Sequence, residues 1–373
     1  MTSDTNLNDT KMKRITILAG ARPNFVKVAP LIRAIEKTEG ASWQLVYAGR
    51  ADDPTLEPTL FSDLQMPAPS VCLGVDSTSL NEITSRVMAE FDALLERHPA
   101  DVVIVVDDLA STMAAAIVTK KRGLRLAHLV AGTRSFDMSM PKEVNRLVID
   151  ALSDYLFTAG VKSNSVATRE QGDRAEATTA DGGTYMVGNI LMDTLRYNHQ
   201  RLQKPPLGQV DSPYLVLTLN RRSLLADEDS LRQLLLAVVS ADDGMPVIAP
   251  LRGRAHQLVS DFATQHPALT VLPALPYLQF GWLTAHAHGI ITDSGNVAEE
   301  ATFNGVPCIT LSKHAEHQET VSVGSNVLVG DDPQLLAEQV GHMVRGEWKK
   351  SALPDRWDGR TAERIVSILL NNA

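Results

Sequence analysis

The chain predicts an α/β protein made of two Rossmann-like, doubly wound domains with a cleft between them. Three observations carry that prediction. Short β-branched runs alternate with stretches whose apolar residues recur at helical spacing, which reads as a mainly parallel sheet wrapped by helices. The alternation breaks at a proline-rich segment, Lys204-Pro-Pro-Leu-Gly-Gln-Val-Asp-Ser-Pro213, and then starts again. The chain has 373 residues, 44% hydrophobic and 21% charged, enough for about two domains with full cores.

Residues 1–13 are polar, lack a signal-peptide core and are predicted to be a disordered tail. The first domain is placed at 14–204, with strands at 14–18, 44–48, 102–106, 124–130, 155–158 and 185–187. Helices are indicated between them by Phe25, Val28, Ala29, Ile32 and Ile35, and by Ile83, Val87, Phe91, Leu94 and Leu95. Residues 205–213 form the linker. The second domain is placed at 214–358, with strands at 214–219, 246–249, 270–272, 289–292, 308–311 and 325–328. A last helix, about residues 360–370, is expected to pack back on the first domain, so residues 359–373 are a returning segment.

Composition narrows the function. The net charge is −9 and no basic block stands out, which argues against nucleic acid or an acidic membrane as partner. An anionic ligand stays open, because local arginines matter more than the total. No apolar run reaches the roughly 18 residues of a membrane span. Two cysteines, Cys72 and Cys308, are too few for a disulfide framework. The expected location is the cytoplasm.

The densest polar stretch runs from His128 to Arg146. An apolar run, a glycine turn and a helical pattern (Val144, Leu147, Val148, Ala151, Leu152) bring His128, Arg134, Asp137, Lys142, Glu143 and Arg146 together. In an open α/β sheet, ligands bind at such strand ends. Ala19-Gly-Ala-Arg-Pro-Asn-Phe-Val-Lys27 follows the first strand, and Arg22 and Lys27 add positive charge near a helix N-terminus. It reads either as a phosphate site or as an ordinary turn with surface cations. Thr292-Asp-Ser-Gly-Asn-Val-Ala-Glu-Glu300 repeats that logic: Ser294 and Gly295 offer a diphosphate cradle, with Glu299 and Glu300 one turn in where a ribose could meet a carboxylate. A serine cap with glutamates as helix formers is the plainer reading. Val102-Val-Ile-Val-Val-Asp-Asp108 ends in paired carboxylates, one of which should keep its proton if both are buried side by side; helix capping explains one of them equally well.

Other features carry less. His314-Ala-Glu-His317 has metal-like spacing but no evident third ligand, and no metal is expected there. His286 and His288 flank a strand start and read as structural. No GxxxxGK[ST], GxGxxG or HExxH pattern occurs, so neither ATP, NAD nor any other cofactor is indicated.

Taken together, the segments resemble the non-hydrolysing UDP-N-acetylglucosamine 2-epimerase family. The matching pieces are Gly20-Ala-Arg-Pro-Asn-Phe, Arg134-Ser-Phe-Asp-Met-Ser-Met-Pro, Val187-Gly-Asn-Ile-Leu-Met-Asp193, Leu275-Pro-Tyr-Leu-Gln-Phe280, Thr292-Asp-Ser-Gly, Glu299-Glu300 and Asn326-Val-Leu-Val-Gly330. They stand in family order over about residues 14–370. The resemblance implies a GT-B-like fold, a UDP-sugar such as UDP-GlcNAc in the interdomain cleft, no organic cofactor and a homodimer. It implies a reaction in which a base removes the C2 proton as UDP leaves, and a proton and UDP then re-add. By position, Arg22, Ser294 and Gly295 would hold the diphosphate, Glu300 the ribose, and Phe280 would border the uracil. Lys27, Asp108, Glu143 and Arg146 would line the sugar end. Arg134 and Arg221 complete the expected binding set.

The departures concentrate on proton transfer. Where the family reads His-Val-Glu-Ala-Gly, this chain has His128-Leu-Val-Ala-Gly132, so a catalytic glutamate is Val130. Pro-Glu-Glu becomes Pro141-Lys-Glu143, so a second acid is Lys142. A histidine near the diphosphate is Asn220 in Thr218-Leu-Asn-Arg221, another is Arg252, and Ser-Gly-Gly becomes Ser294-Gly-Asn296. The arginine loop becomes Ser312-Lys-His-Ala-Glu-His-Gln318. A lost general acid or base costs about 10²–10⁴ in rate. Three functions are consistent with this: a C2 epimerase using Asp108 and Glu143 with impaired or altered catalysis, a non-catalytic nucleotide-sugar binding protein, or changed chemistry (UDP-sugar hydrolysis or glycosyl transfer) on the same scaffold.

Overall fold

The structure is a computed structural model that describes residues 12–172, 182–206 and 213–371. Residues 1–11 of the predicted tail and 207–212 of the predicted linker lie outside the described residues. Within them, the first sheet comprises β1 (Lys13–Ala19), β2 (Ala41–Tyr47), β3 (Val71–Cys72), β4 (Val102–Val106), β5 (Arg125–Ala131), β6 (Tyr155–Thr158) and β7 (Gly183–Met186), in the order β3-β2-β1-β4-β5-β6-β7. The second comprises β8 (Leu215–Thr218), β9 (Val247–Leu251), β10 (Leu269–Pro273), β11 (Gly289–Thr292), β12 (Cys308–Thr310) and β13 (Asn326–Leu328), in the order β10-β9-β8-β11-β12-β13. Neighbouring strands pair in parallel in both sheets. The two doubly wound α/β domains expected from the sequence are therefore present. The short edge strand β3 was not expected, because two residues are too few to show a period.

The strands form where both faces are covered. Each residue of β4 is buried, as a continuous Val/Ile run in a parallel sheet requires. The helix Arg22–Glu36 places Pro23 in its first turn and turns Phe25, Val28, Ala29, Leu31, Ile32 and Ile35 inward. Those side chains share a core with Ile15, Ile17, Ile104 and Phe157, and with Trp357, Ile365, Val366 and Leu369 from the end of the chain. Trp357 is 1% exposed, and its Nε1 donates to the Ala159 carbonyl at 3.0 Å. The helix Thr361–Asn371 is capped from another element: the Asp193 carboxylate accepts from the backbone N–H of Thr361 at 2.7 Å and of Ala362 at 3.3 Å. A second core joins Leu215, Leu217, Val247, Ile291, Leu336 and Val340.

In each sheet the winding direction reverses once, between β1 and β4 and between β8 and β11. Ligands bind at the carboxyl ends of strands beside such reversals. Away from the reversals, after β6 and β7, the two domains also make polar contacts: Asn189 Nδ2 donates to Glu299 Oε2 at 2.6 Å, and the Lys162 backbone N–H to Glu319 Oε1 at 3.2 Å. No helix of the described residues is long and apolar enough to cross a membrane.

Candidate active site

A cavity of about 440 Å³ opens between the strand ends of the two sheets. The first domain contributes Asn24 and Lys27 after β1, Asp107 and Asp108 after β4, Val130 near the end of β5, and Lys142 and Arg146 from the helix Pro141–Leu152. The second contributes Asn220 and Arg221 after β8, Ser294 and Gly295 after β11, and Glu316 after β12.

The first wall is a ladder of opposite charges. Asn24 Oδ1 accepts from the backbone N–H of Gly20 at 2.8 Å and of Ala21 at 3.1 Å, and its Nδ2 donates to Asp107 Oδ2 at 2.7 Å. Lys27 is buried, with Nζ 2.7 Å from Asp107 Oδ1. Burial opposes its charge, but Asp107 and then Glu299 outweigh burial and hold its pKa above the ordinary lysine range. The same contact works on Asp107, whose carboxyl is held below its usual range because Lys27 outweighs burial. Asp108 faces a different cation: its Oδ2 lies 2.6 Å from Arg146 Nη2, and Lys142 Nζ is 3.5 Å from its Oδ1. The two adjacent carboxylates therefore turn to different cations, Asp107 to Lys27 and Asp108 to Arg146. Lys142 is likewise held above its ordinary range, with Asp108 and Glu316 outweighing burial. An ammonium so held cannot accept a proton where the sequence resemblance puts an acid.

The second wall is built around a helix N-terminus. Asp293 Oδ2 accepts the backbone N–H groups of Asn220 and Arg221, both at 2.7 Å, which fixes the turn after β8. The Ser294 backbone N–H donates to Thr292 Oγ1 at 3.0 Å, and the helix Gly295–Asn304 starts at the cavity. Its free N–H groups and dipole favour an anion. Glu316 leans over that spot: a Cβ on Gly295 would lie 2.9 Å from Glu316 Oε2, while Glu316 Oε1 is 3.3 Å from Arg146 Nη2 across the cleft.

Several residues expected at the site do not line this cavity or are held by partners of their own. Arg22 pairs with Glu57 at 2.7 Å, and Arg252 reaches the same carboxylate at 3.0 Å. Arg134 is buried against Asp150 at 2.7 Å and also meets Glu170. Asp150 binds His128 Nδ1 at 2.5 Å and the Gly132 backbone N–H at 3.0 Å, so this network braces the β5 turn. Glu143 is 1% exposed and lies outside the cavity lining. Its carboxylate accepts from the Ser135 backbone N–H and hydroxyl at 2.8 and 2.9 Å and from the Phe136 backbone N–H at 3.1 Å. A carboxylate so engaged shapes the 134–140 loop rather than facing a ligand. Asp137 turns onto Ser139 at the exposed tip of that loop. Phe280 packs on the second domain's other core. Glu300 is buried, and burial, then Glu299, pushes its carboxyl up to about 7. His314 is exposed, whereas His317 lines the cavity, buried 3.8 Å from Glu299 Oε1.

The sequence reading passed over Asn24 and Glu316 and kept only Asp108 of the acidic pair. Asn24 reads as a turn residue, and nothing local marks Glu316 as reaching the other domain. Asp107 did carry a signal, its place beside Asp108, without anything to show which of the two met Lys27.

Known proteins share this fold. A model of the UDP-N-acetylglucosamine 2-epimerase family matches residues 33–370. The UDP-N-acetylglucosamine 2-epimerase of Methanocaldococcus jannaschii is 30% identical, with 95% of this chain and 98% of that protein covered. Its crystal structure in complex with UDP-GlcNAc and UDP superposes with a TM-score of 0.84 over 96% of this chain and 99% of that one. The UDP-2,3-diacetamido-2,3-dideoxy-D-glucuronate 2-epimerase of Pseudomonas aeruginosa is also 30% identical, over 88% of this chain and 91% of that protein. Fold, motif order and overall identity agree: the chain belongs to the UDP-N-acetylglucosamine 2-epimerase family.

Proposed function

We propose that the protein binds a UDP-sugar, UDP-GlcNAc or a close relative, in the interdomain cleft and inverts carbon 2 by elimination and re-addition of UDP, with altered catalysis. The observation that carries this reading is the meeting, in one cavity, of the Gly295 helix N-terminus, the fixed cations Lys27 and Arg146, and the carboxylates Asp107 and Asp108. The helix end and the cations suit a departing diphosphate, because preorganised positive charge favours the state in which the leaving group is most negative. An ionised carboxylate suits removal of a C–H proton. In this reading Ser294, Gly295 and Arg221 receive the diphosphate, Phe280 borders the uracil and Glu300 meets the ribose. Arg22 joins them by leaving Glu57, and Glu143 and Arg134 act by holding the loop and turn beside the sugar. Val130 and Lys142 slow the reaction relative to a member with acids there.

The same proposal divides the chain into domains at 14–204 and 214–358, with residues 359–373 returning to the first domain, and takes the protein to be a cytoplasmic homodimer. Incubation with UDP-GlcNAc in D₂O tests the reaction by NMR. Deuterium at C2 of retained UDP-sugar, together with the manno product, is expected. UDP release without C2 deuteration points instead to hydrolysis. Binding of UDP with no reaction at all supports a nucleotide-sugar binding protein, the second reading, which Val130 and Lys142 favour.

A further inference from the structure

β4 and β5 are parallel neighbours whose last registered pair is Val106 with Leu129. The residues that follow that pair, Asp107 and Val130, both line the cavity and both have positive φ, 58° and 73°. A left-handed backbone at a residue with a side chain costs about 1–3 kcal/mol, and a β-branched side chain fits it worst. Such a conformation persists where the surroundings over-determine it. At Asp107 four contacts do so. Its backbone N–H donates to the Leu129 carbonyl at 3.2 Å, and its carbonyl meets His128 Nε2 at 3.0 Å. Its two carboxylate oxygens accept separately from Lys27 and Asn24, each at 2.7 Å. A carboxylate has about four lone-pair sites, so this clamp fixes the group and leaves acceptor capacity on the cavity side. Beside it stands Val130, held in the worse-tolerated conformation and without any group that can move a proton.

We propose that Asp107 is a catalytic residue of this cleft and takes the C2 proton, the step that Val130 beside it cannot perform. This rests on the epimerase reading above. The C2 proton passes to a carboxylate oxygen of Asp107, the C–H electron pair becomes the C1=C2 bond, and the C1–O pair leaves with UDP. On return the UDP oxygen bonds to C1 and C2 takes a proton from water on its other face. Asp107 then gives its own proton to the hydroxide that this water leaves, so water and the Asp107 carboxylate are both regenerated and protons and electrons balance. Lys27 keeps the carboxylate ionised between turnovers, and Asn24 fixes its direction. The strand ends thereby place an acid on β4 beside the β5 position that Val130 occupies.

The test is C2 deuteration in D₂O, normalised to the number of UDP sites counted by calorimetry. Asp107→Asn keeps the shape, an acceptor for Lys27 and a side chain that tolerates left-handed backbone. It is expected to lower deuteration by about 100-fold or more while UDP still binds. Adding Val130→Glu to that variant returns a carboxylate to the neighbouring strand end and is expected to recover about tenfold or more of the loss. Support of Lys27 alone would show in UDP binding and thermal midpoint, not in a recovered rate per site. If the Asn chain does not bind UDP, Asp107→Glu keeps the charge and moves the carboxylate by one methylene; about a tenfold slower rate is expected. A rate per site equal to wild type in either variant overturns the assignment, as does a loss that Val130→Glu leaves untouched. Wild-type protein that binds UDP without C2 exchange contradicts the epimerase reading itself, which separates the two failures.

Discussion

At Gly132 the backbone turns out of β5 with φ +75°, and a Cβ there would lie 2.2 Å from the Ser163 carbonyl oxygen. The same residue donates its backbone N–H to Asp150, which also gathers His128 and Arg134. Gly132→Ala therefore combines backbone strain with a clash against the helix Val161–Gly172. It is expected to lower the unfolding free energy by about 2–4 kcal/mol, read from the urea midpoint; an unchanged midpoint would show that the turn relaxes freely. The polar stretch from His128 to Arg146 was legible as a ligand-edge turn because its glycine and helix-start signals are local. The division of labour within it was not. Arg134 and Glu143 hold the turn and loop, whereas Lys142 and Arg146 face the cavity. Those roles depend on partners at Asp150 and Asp108 that no spacing rule identifies.

At the scale of elements, the helix Gly295–Asn304 joins two demands. Its N-terminus faces the cavity, and its next turn buries Glu299 and Glu300 side by side. Burial and the neighbouring carboxylate raise Glu300 to about 7, above the roughly 4.3 of an unfolded chain. The folded state thus binds a proton that the unfolded state releases. Stability from this group is full below the unfolded pKa and is lost as pH rises through 7. Asp193, raised to about 7 by burial, acts with the same sign. Between pH 5 and 8 the unfolding free energy is expected to fall, with Glu300 supplying on the order of 2–3 kcal/mol. Glu300→Gln should flatten part of that slope and Asp193 retain the rest. Urea melts of the two chains at both pH values check this, and parallel slopes would contradict it. The helices themselves could be read from apolar periodicity and the strands from β-branched runs, since both patterns are short-range. The two-residue β3 was too short for either rule. The capping of Thr361–Asn371 by Asp193 joins residues 168 apart in sequence, beyond what any local pattern records.

At the scale of the whole molecule, two sheet reversals face each other across one cleft, and charge is balanced between the domains. Lys27, Lys142 and Arg146 stand on one side of that balance, with Asp107, Asp108 and Glu316 on the other. Among these six, Glu316 comes from the second domain, and its carboxylate sits where the Gly295 helix end and Arg146 would receive a ligand anion. The repeat of the α/β pattern and the linker composition made the two domains and their cleft legible. This cross-domain contact was not, because it depends on how the domains are set against each other. On the proposed reading, a diphosphate at Gly295 competes with Glu316 for one place. A crystal structure of the protein with UDP would show whether the two anions exchange. The diphosphate is expected against Ser294 and Gly295, with Lys27 and Arg146 nearby and Glu316 moved off Arg146. UDP bound outside the cleft, or within it with the Glu316–Arg146 contact intact, would contradict that reading.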